Sequence, residues 1–143
     1  KSKKNINSKK IISSETSEKL NKILRKVVTE KEGTASLADI YGYDVGGKTG
    51  TSQNYKNKNE NLNTFISVFP MKDPKYALLV MLENPQVAKG LIYDYRGMKI
   101  KGIRNEAGWN SVYTAGKIIE KIGPILAIKN EEFHKKHVAK KSN

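Results

Sequence analysis

Apolar residues recur at two different periods along this chain, and the change of period divides it. Leu20, Ile23, Leu24, Val27 and Val28 fall at i, i+3, i+4, i+7 and i+8, which is one face of an α-helix. Lys19, Lys22, Arg25 and Lys26 lie off that face. Ser13 or Ser14 offers a hydroxyl N-cap, Glu15 and Glu18 suit the positive helix end, and Gly33 is the expected stop. A second run, Val112, Ala115, Ile118, Ile119 and Ile122, predicts another helix over about residues 110–122.

Between the two helices the pattern is that of strands. One is expected to start near Tyr43 and to carry residues 48–51. Thr64-Phe65-Ile66-Ser67-Val68-Phe69 is a second, stopped by Pro70. Tyr76-Ala77-Leu78-Leu79-Val80-Met81-Leu82 is a third, closed by Asn84-Pro85. The short turn from Met71 to Lys75 makes the second and third strands an antiparallel hairpin. The third strand is apolar throughout rather than alternating, as expected of a strand buried on both faces. Two helices cover roughly one face of a three-stranded sheet, so the other face is expected to be covered by parts absent from this chain. Residues 54–63 read as a polar loop and 86–108 as a long one. Tyr93, Tyr95 and Trp109 are expected to pack that long loop onto the domain surface rather than to wall a substrate.

Composition narrows the classes. The sequence has 143 residues, enough for one domain at most. It divides into a basic flexible lead-in (1–10), a body (11–128) and a polar Lys-rich tail (129–143). The net charge of +13 suggests nucleic-acid binding. Lysine is spread everywhere, however, and arginine, the preferred reader of bases and phosphates, occurs only at positions 25, 96 and 104. No nucleic-acid partner is therefore expected, though a basic nucleic-acid-binding module stays as an alternative. The absence of cysteine excludes disulfides and thiolate metal sites. No apolar run reaches the ~20 residues of a membrane span, no signal peptide is visible, and the first residue is not Met, so a longer parent is expected. His134 and His137, with Glu131 nearby, are too few ligands for a metal site; neither metal nor cofactor is expected.

The chemistry concentrates in Val45-Gly46-Gly47-Lys48-Thr49-Gly50-Thr51-Ser52. Lysine, hydroxyls and glycine-exposed backbone together make an anion-binding site, for a carboxylate or a phosphate. Two motifs compete for it. Gly42-Tyr43-Asp44-Val45-Gly46-Gly47-Lys48-Thr49 fits the phosphate loop G-x-x-x-x-G-K-[ST], which would make the chain a nucleotide binder. Lys48-Thr49-Gly50-Thr51 fits the K-T-G element of penicillin-binding proteins and class A β-lactamases. A phosphate loop has to open a helix, and the Gly, Ser and Asn after Thr49 read as a loop between strands, which favours K-T-G.

At about residues 11–128 the chain resembles the C-terminal part of the transpeptidase domain of class B penicillin-binding proteins, most closely the septal branch. The anchors come in order. They are the helix over residues 13–28, Glu32-Gly33-Thr34-Ala35, Gly47-Lys48-Thr49-Gly50-Thr51-Ser52-Gln53, the hairpin of residues 64–85, Gly108-Trp109-Asn110, and Ala115-Gly116-Lys117-Ile118-Ile119. The resemblance implies an α/β (α+β) penicillin-binding, β-lactamase-like fold, an antiparallel sheet with flanking helices, incomplete in this chain. It implies a peptidoglycan D,D-transpeptidase working by serine acyl transfer on stem peptides and captured by β-lactams, at the bacterial inner membrane with the domain in the periplasm, among other cell-division proteins. Lys48 would supply positive potential near the substrate carboxylate and the nucleophile. Thr49 and Thr51 would hydrogen-bond the carboxylate, Gly50 would keep the strand open, and the Thr51 N–H would be an oxyanion donor. The departure is that no serine here has lysine three residues on, so the S-x-x-K nucleophile motif is missing. Ser52-Gln53-Asn54 spells S-x-N in the wrong place and reads as a decoy. The chain alone is expected to be inactive, with the upstream part of the same domain as its missing partner.

Overall fold

The computed structural model describes residues 10–53, 60–87, 89–102 and 104–139. The lead-in up to residue 9 and most of the polar loop expected at 54–63 lie outside the described residues. Helix α1 spans Ser14–Thr29. Ser13 caps it, its hydroxyl accepting from the Thr16 N–H at 3.0 Å. A single 3₁₀ turn, Ser36–Ala38, follows. Three strands, β1 (Gly46–Gln53), β2 (Asn61–Phe69) and β3 (Tyr76–Glu83), form one antiparallel sheet in the order β1-β2-β3. Strands β4 (Ile92–Tyr95) and β5 (Met98–Lys101) form a separate hairpin, and α2 runs over Ser111–Ala139.

The sheet register sorts its two faces. Thr49 pairs with Phe65 and Phe65 with Val80, so these three side chains share one face. Phe65 and Val80 are buried there in a core that also takes Val28, Ala35, Ala38, Val45, Val112, Ala115 and Ile119. Both helices and the 3₁₀ turn therefore serve the same core. On the opposite face Lys48 pairs with Ile66 and Ile66 with Leu79. Ile66, Leu79 and Met81 stand 51%, 55% and 56% exposed there. The sequence pattern required two covers for β3, and the described residues supply one.

Three expectations are corrected. The first strand begins at Gly46 rather than near Tyr43, because Gly42 and Asp44 adopt positive φ (85° and 48°), which turns the chain before it can extend. The long loop at 86–108 contains the β4–β5 hairpin. Its two-residue turn is Arg96-Gly97, both at positive φ (52° and 78°), as a type I′ hairpin turn demands. The alternation Ile92-Tyr93-Asp94-Tyr95 around that glycine was the legible signal. The second helix does not stop near residue 122; it passes Pro124 and continues to Ala139, through most of the stretch read as a tail. Proline removes one N–H from the ladder without ending the helix here.

Candidate functional site

Strand β1 lies at the edge of the sheet, so one row of its backbone N–H and C=O groups faces away from β2. The residues Lys48-Thr49-Gly50-Thr51 form its centre. Strand alternation splits them: Lys48 and Gly50 share the open face with Ile66 and Thr64, while Thr49 and Thr51 share the other with Phe65 and Asn63. Glycine at 47 is dictated by close packing, since a Cβ there would meet the Phe65 ring at 2.7 Å. At Gly50 a Cβ would meet the Thr64 hydroxyl at 2.6 Å, so this glycine makes room for β2 as well as for any ligand.

The two threonine hydroxyls are held from outside the sheet. Thr34 Oγ1 lies 2.8 Å from Thr49 Oγ1, and Thr51 Oγ1 accepts from the Ala107 N–H at 3.2 Å. Thr34 is brought there by the turn after α1, where the Ala35 N–H donates to the Val27 carbonyl at 3.1 Å. The segment carrying Ala107 is fixed by asparagines. Asn63 Nδ2 donates to the Asn105 carbonyl at 2.7 Å, Asn105 Nδ2 to the Pro85 carbonyl, and Asn110 Nδ2 to Asn105 Oδ1 at 3.0 Å.

These elements enclose a cavity of about 290 Å³, lined among others by Thr34, Thr49, Thr51, Arg104, Glu106 and Trp109. Lys48 does not line it. Its ammonium is exposed on the other face and donates to the Thr49 carbonyl at 2.6 Å. The structure thus brings Thr49 and Thr51 together in one pocket and sets Lys48 apart from them. A larger hollow of about 590 Å³ beside α1, lined by Lys22, Arg25, Asp44 and Met71, holds none of these residues.

Sequence reasoning left Thr34, Arg104 and Glu106 without a role at this site. The Glu-Gly-Thr-Ala turn had marked Thr34; nothing in the pattern marked Arg104 or Glu106. Tyr93 is buried as expected of a packing aromatic, edge-on to Trp109 and Tyr113 at 5.5 and 5.1 Å. Trp109 both packs on Tyr95 at 5.3 Å and lines the cavity.

The phosphate-loop reading of Gly42 to Thr49 is overturned. Lys48 and Thr49 lie inside a strand, so no helix N-terminus stands behind them to hold a phosphate. The nucleic-acid alternative also loses ground: Arg25 is tied to Val45, Asp39 and Asp44, and Arg96 to the carbonyls ending α1. The side chains of Glu131, His134 and His137 lie outside the described residues. Among the residues described, no group of three His, Cys, Asp or Glu could hold a metal, and no helix is long and apolar enough to cross a membrane.

Fold and site define a class: a mixed α/β domain whose antiparallel sheet carries K-T-G on its edge strand, with the motif's hydroxyls turned into a pocket. The sequence model of the penicillin-binding protein transpeptidase domain matches residues 1–102. The chain belongs to that family. It is 30% identical over 139 residues to a probable peptidoglycan D,D-transpeptidase FtsI of Caulobacter vibrioides, covering 86% of this chain and 21% of that protein. It is 40% identical over 82 residues to stage V sporulation protein D of Bacillus subtilis, covering 54% of this chain and 12% of that one. Among solved structures, the transpeptidase domain of the FtsI4 D,D-transpeptidase from Legionella pneumophila superposes with a TM-score of 0.53 at 28% identity, over 75% of this chain and 35% of that one. The chain thus spans about a fifth or less of these curated relatives.

Proposed function

We propose that this chain is the C-terminal portion of a penicillin-binding D,D-transpeptidase that cross-links peptidoglycan by serine acyl transfer. The observation that carries the reading is the edge strand with Thr49 and Thr51 hydroxyls held at 2.8 and 3.2 Å in one cavity. Those hydroxyls receive the carboxylate of a stem peptide or of a β-lactam. The Thr51 N–H serves as an oxyanion donor, a contribution on the order of 3 kcal/mol in enzymes of this kind, and Gly50 lets the acyl donor lie along the strand. Lys48 points to the open sheet face. There it supplies positive potential to a nucleophile carried by the rest of the domain, the part that also covers Ile66, Leu79 and Met81. The reading extends to a β-lactam target at the inner membrane, with the domain in the periplasm and other cell-division and cell-shape proteins as partners. It also divides the chain into the lead-in, body and tail at residues 10 and 128.

The test is covalent capture of a fluorescent penicillin. The chain alone is expected to remain unlabelled. Joined to an upstream segment with S-x-x-K and S-x-N, it is expected to be labelled, and Lys48→Ala in the joined protein to lose most of that labelling. Labelling of the isolated chain, or a joined protein indifferent to Lys48→Ala, would sink the assignment.

A further inference from the structure

The cavity that holds Thr49 and Thr51 needs a cation if it is to bind a carboxylate tightly, and Lys48 is not in it. The positive side chain that does line it is Arg104. Its guanidinium stacks on the Trp109 ring, 5.4 Å from the centroid, and makes no hydrogen bond or ion pair with any described residue. This cation–π contact holds the guanidinium beside the ring and leaves its N–H donors free, and an arginine with free donors can take a carboxylate bidentately. Glu106 lines the same cavity with the opposite charge, yet forms no ion pair with Arg104 among the described residues.

We propose that Arg104 is a specificity-determining residue that binds the terminal carboxylate of the acyl donor together with the Thr49 and Thr51 hydroxyls. This rests on the transpeptidase reading and divides the charges of the site. Lys48 serves the nucleophile from one face of β1, and Arg104 serves the carboxylate from the other. Glu106 lowers the affinity for any anion there, so a carboxylate is held only where Arg104 and the two hydroxyls outweigh it.

Trp109 is the single tryptophan, so its emission reports on the cavity directly. The probes are N-acetyl-D-alanyl-D-alanine and its C-terminal amide, titrated against this chain. The acid is expected to perturb Trp109 emission at lower concentration than the amide. Arg104→Gln is expected to weaken the acid about tenfold, equivalent to about 1.4 kcal/mol, and to leave the amide unchanged. Arg104→Lys should recover part of the loss, and Glu106→Gln should tighten the acid. Arg104 is exposed, so these variants should melt with the unaltered chain. If Thr49→Val weakens the acid but Arg104→Gln does not, the proposal is wrong and the transpeptidase reading stands. If acid and amide bind alike, the carboxylate role fails, and penicillin capture by the joined protein decides the broader reading separately.

Discussion

Thr34 and Thr49 stand fifteen positions apart, and their hydroxyl oxygens meet at 2.8 Å. This contact ties the turn after α1 to the K-T-G strand and aims the Thr49 hydroxyl. One of the two oxygens must donate to the other, so Thr34 settles how much of the Thr49 hydroxyl is left for a ligand. Replacing Thr34 with Val should cost less than about 1 kcal/mol of stability, because the pair is exposed. A double-mutant cycle with Thr49→Val should give a coupling of about 0.5–1 kcal/mol. Additive effects would mean that the hydroxyls do not bond in solution.

Arg25 is expected to matter more for stability than any other charged residue of α1. It donates to the Val45 carbonyl at 2.6 Å and pairs with Asp39 and Asp44 at 3.0 and 3.1 Å, its side chain only 28% exposed. Val45 leads directly into β1, so the guanidinium sets where that strand begins. Arg25→Gln should cost about 2 kcal/mol in urea unfolding, with an unchanged denaturant slope. Arg25→Lys should recover less than half, because a single ammonium nitrogen cannot reach three acceptors that Arg25 meets with three separate nitrogens. A loss under about 0.5 kcal/mol would show that the cluster behaves as an ordinary surface ion pair.

The Arg25 cluster also shows what the sequence could and could not disclose. Its helix was legible because Ser13, the acidic first turn and the Leu20–Val28 stripe agree with one another. Only part of that stripe is buried, however: Val28 is fully buried, whereas Leu20 and Ile23 stand 46% and 57% exposed. Periodicity gives the direction of a face but not the extent of what covers it. The K-T-G strand was legible from its motif and the residues after it, and the open face beside β3 from that strand's lack of alternation. Arg104 was not legible, because its position depends on Asn63, Asn105 and Asn110 holding the segment before α2 against β1 and β2. Such asparagine bridges leave no periodic trace. The β4–β5 hairpin was missed because its strands are four residues long and its turn opens on arginine at positive φ.

Tyr93 gives a prediction for pH. Burial, and then the neighbouring Tyr113, raise its hydroxyl above the ordinary value of 10.0. The folded state therefore keeps the Tyr93 proton after the unfolded chain has begun to lose it. That contribution is complete below pH 10 and is lost as pH rises through the folded value. Unfolding midpoints from pH 10 upward should fall more steeply for the unaltered chain than for Tyr93→Phe. Parallel curves would show that Tyr93 ionises as freely in the folded chain as in the unfolded one.

The open sheet face gives the last prediction. Ile66, Leu79 and Met81 lie in adjacent rows beside Lys48 and Gly50 and are each more than half exposed. Their outer surfaces are open among the described residues. Leu79→Lys and Met81→Lys should therefore change its stability by no more than about 0.5 kcal/mol and should reduce self-association. The outcome should reverse when the rest of the domain is supplied as a separate polypeptide. Covering the exposed half of each side chain is worth about 1 kcal/mol, and burying an unpaired ammonium there adds a larger penalty. Association of the two pieces should weaken at least tenfold for either variant, and penicillin labelling of the reassembled pair should fall with it. Reassembly unaffected by both lysines would mean that the upstream part docks elsewhere, and that Lys48 does not face the nucleophile. A loss of stability in the isolated chain would instead mean that this face is already covered by a second copy, which sedimentation would show.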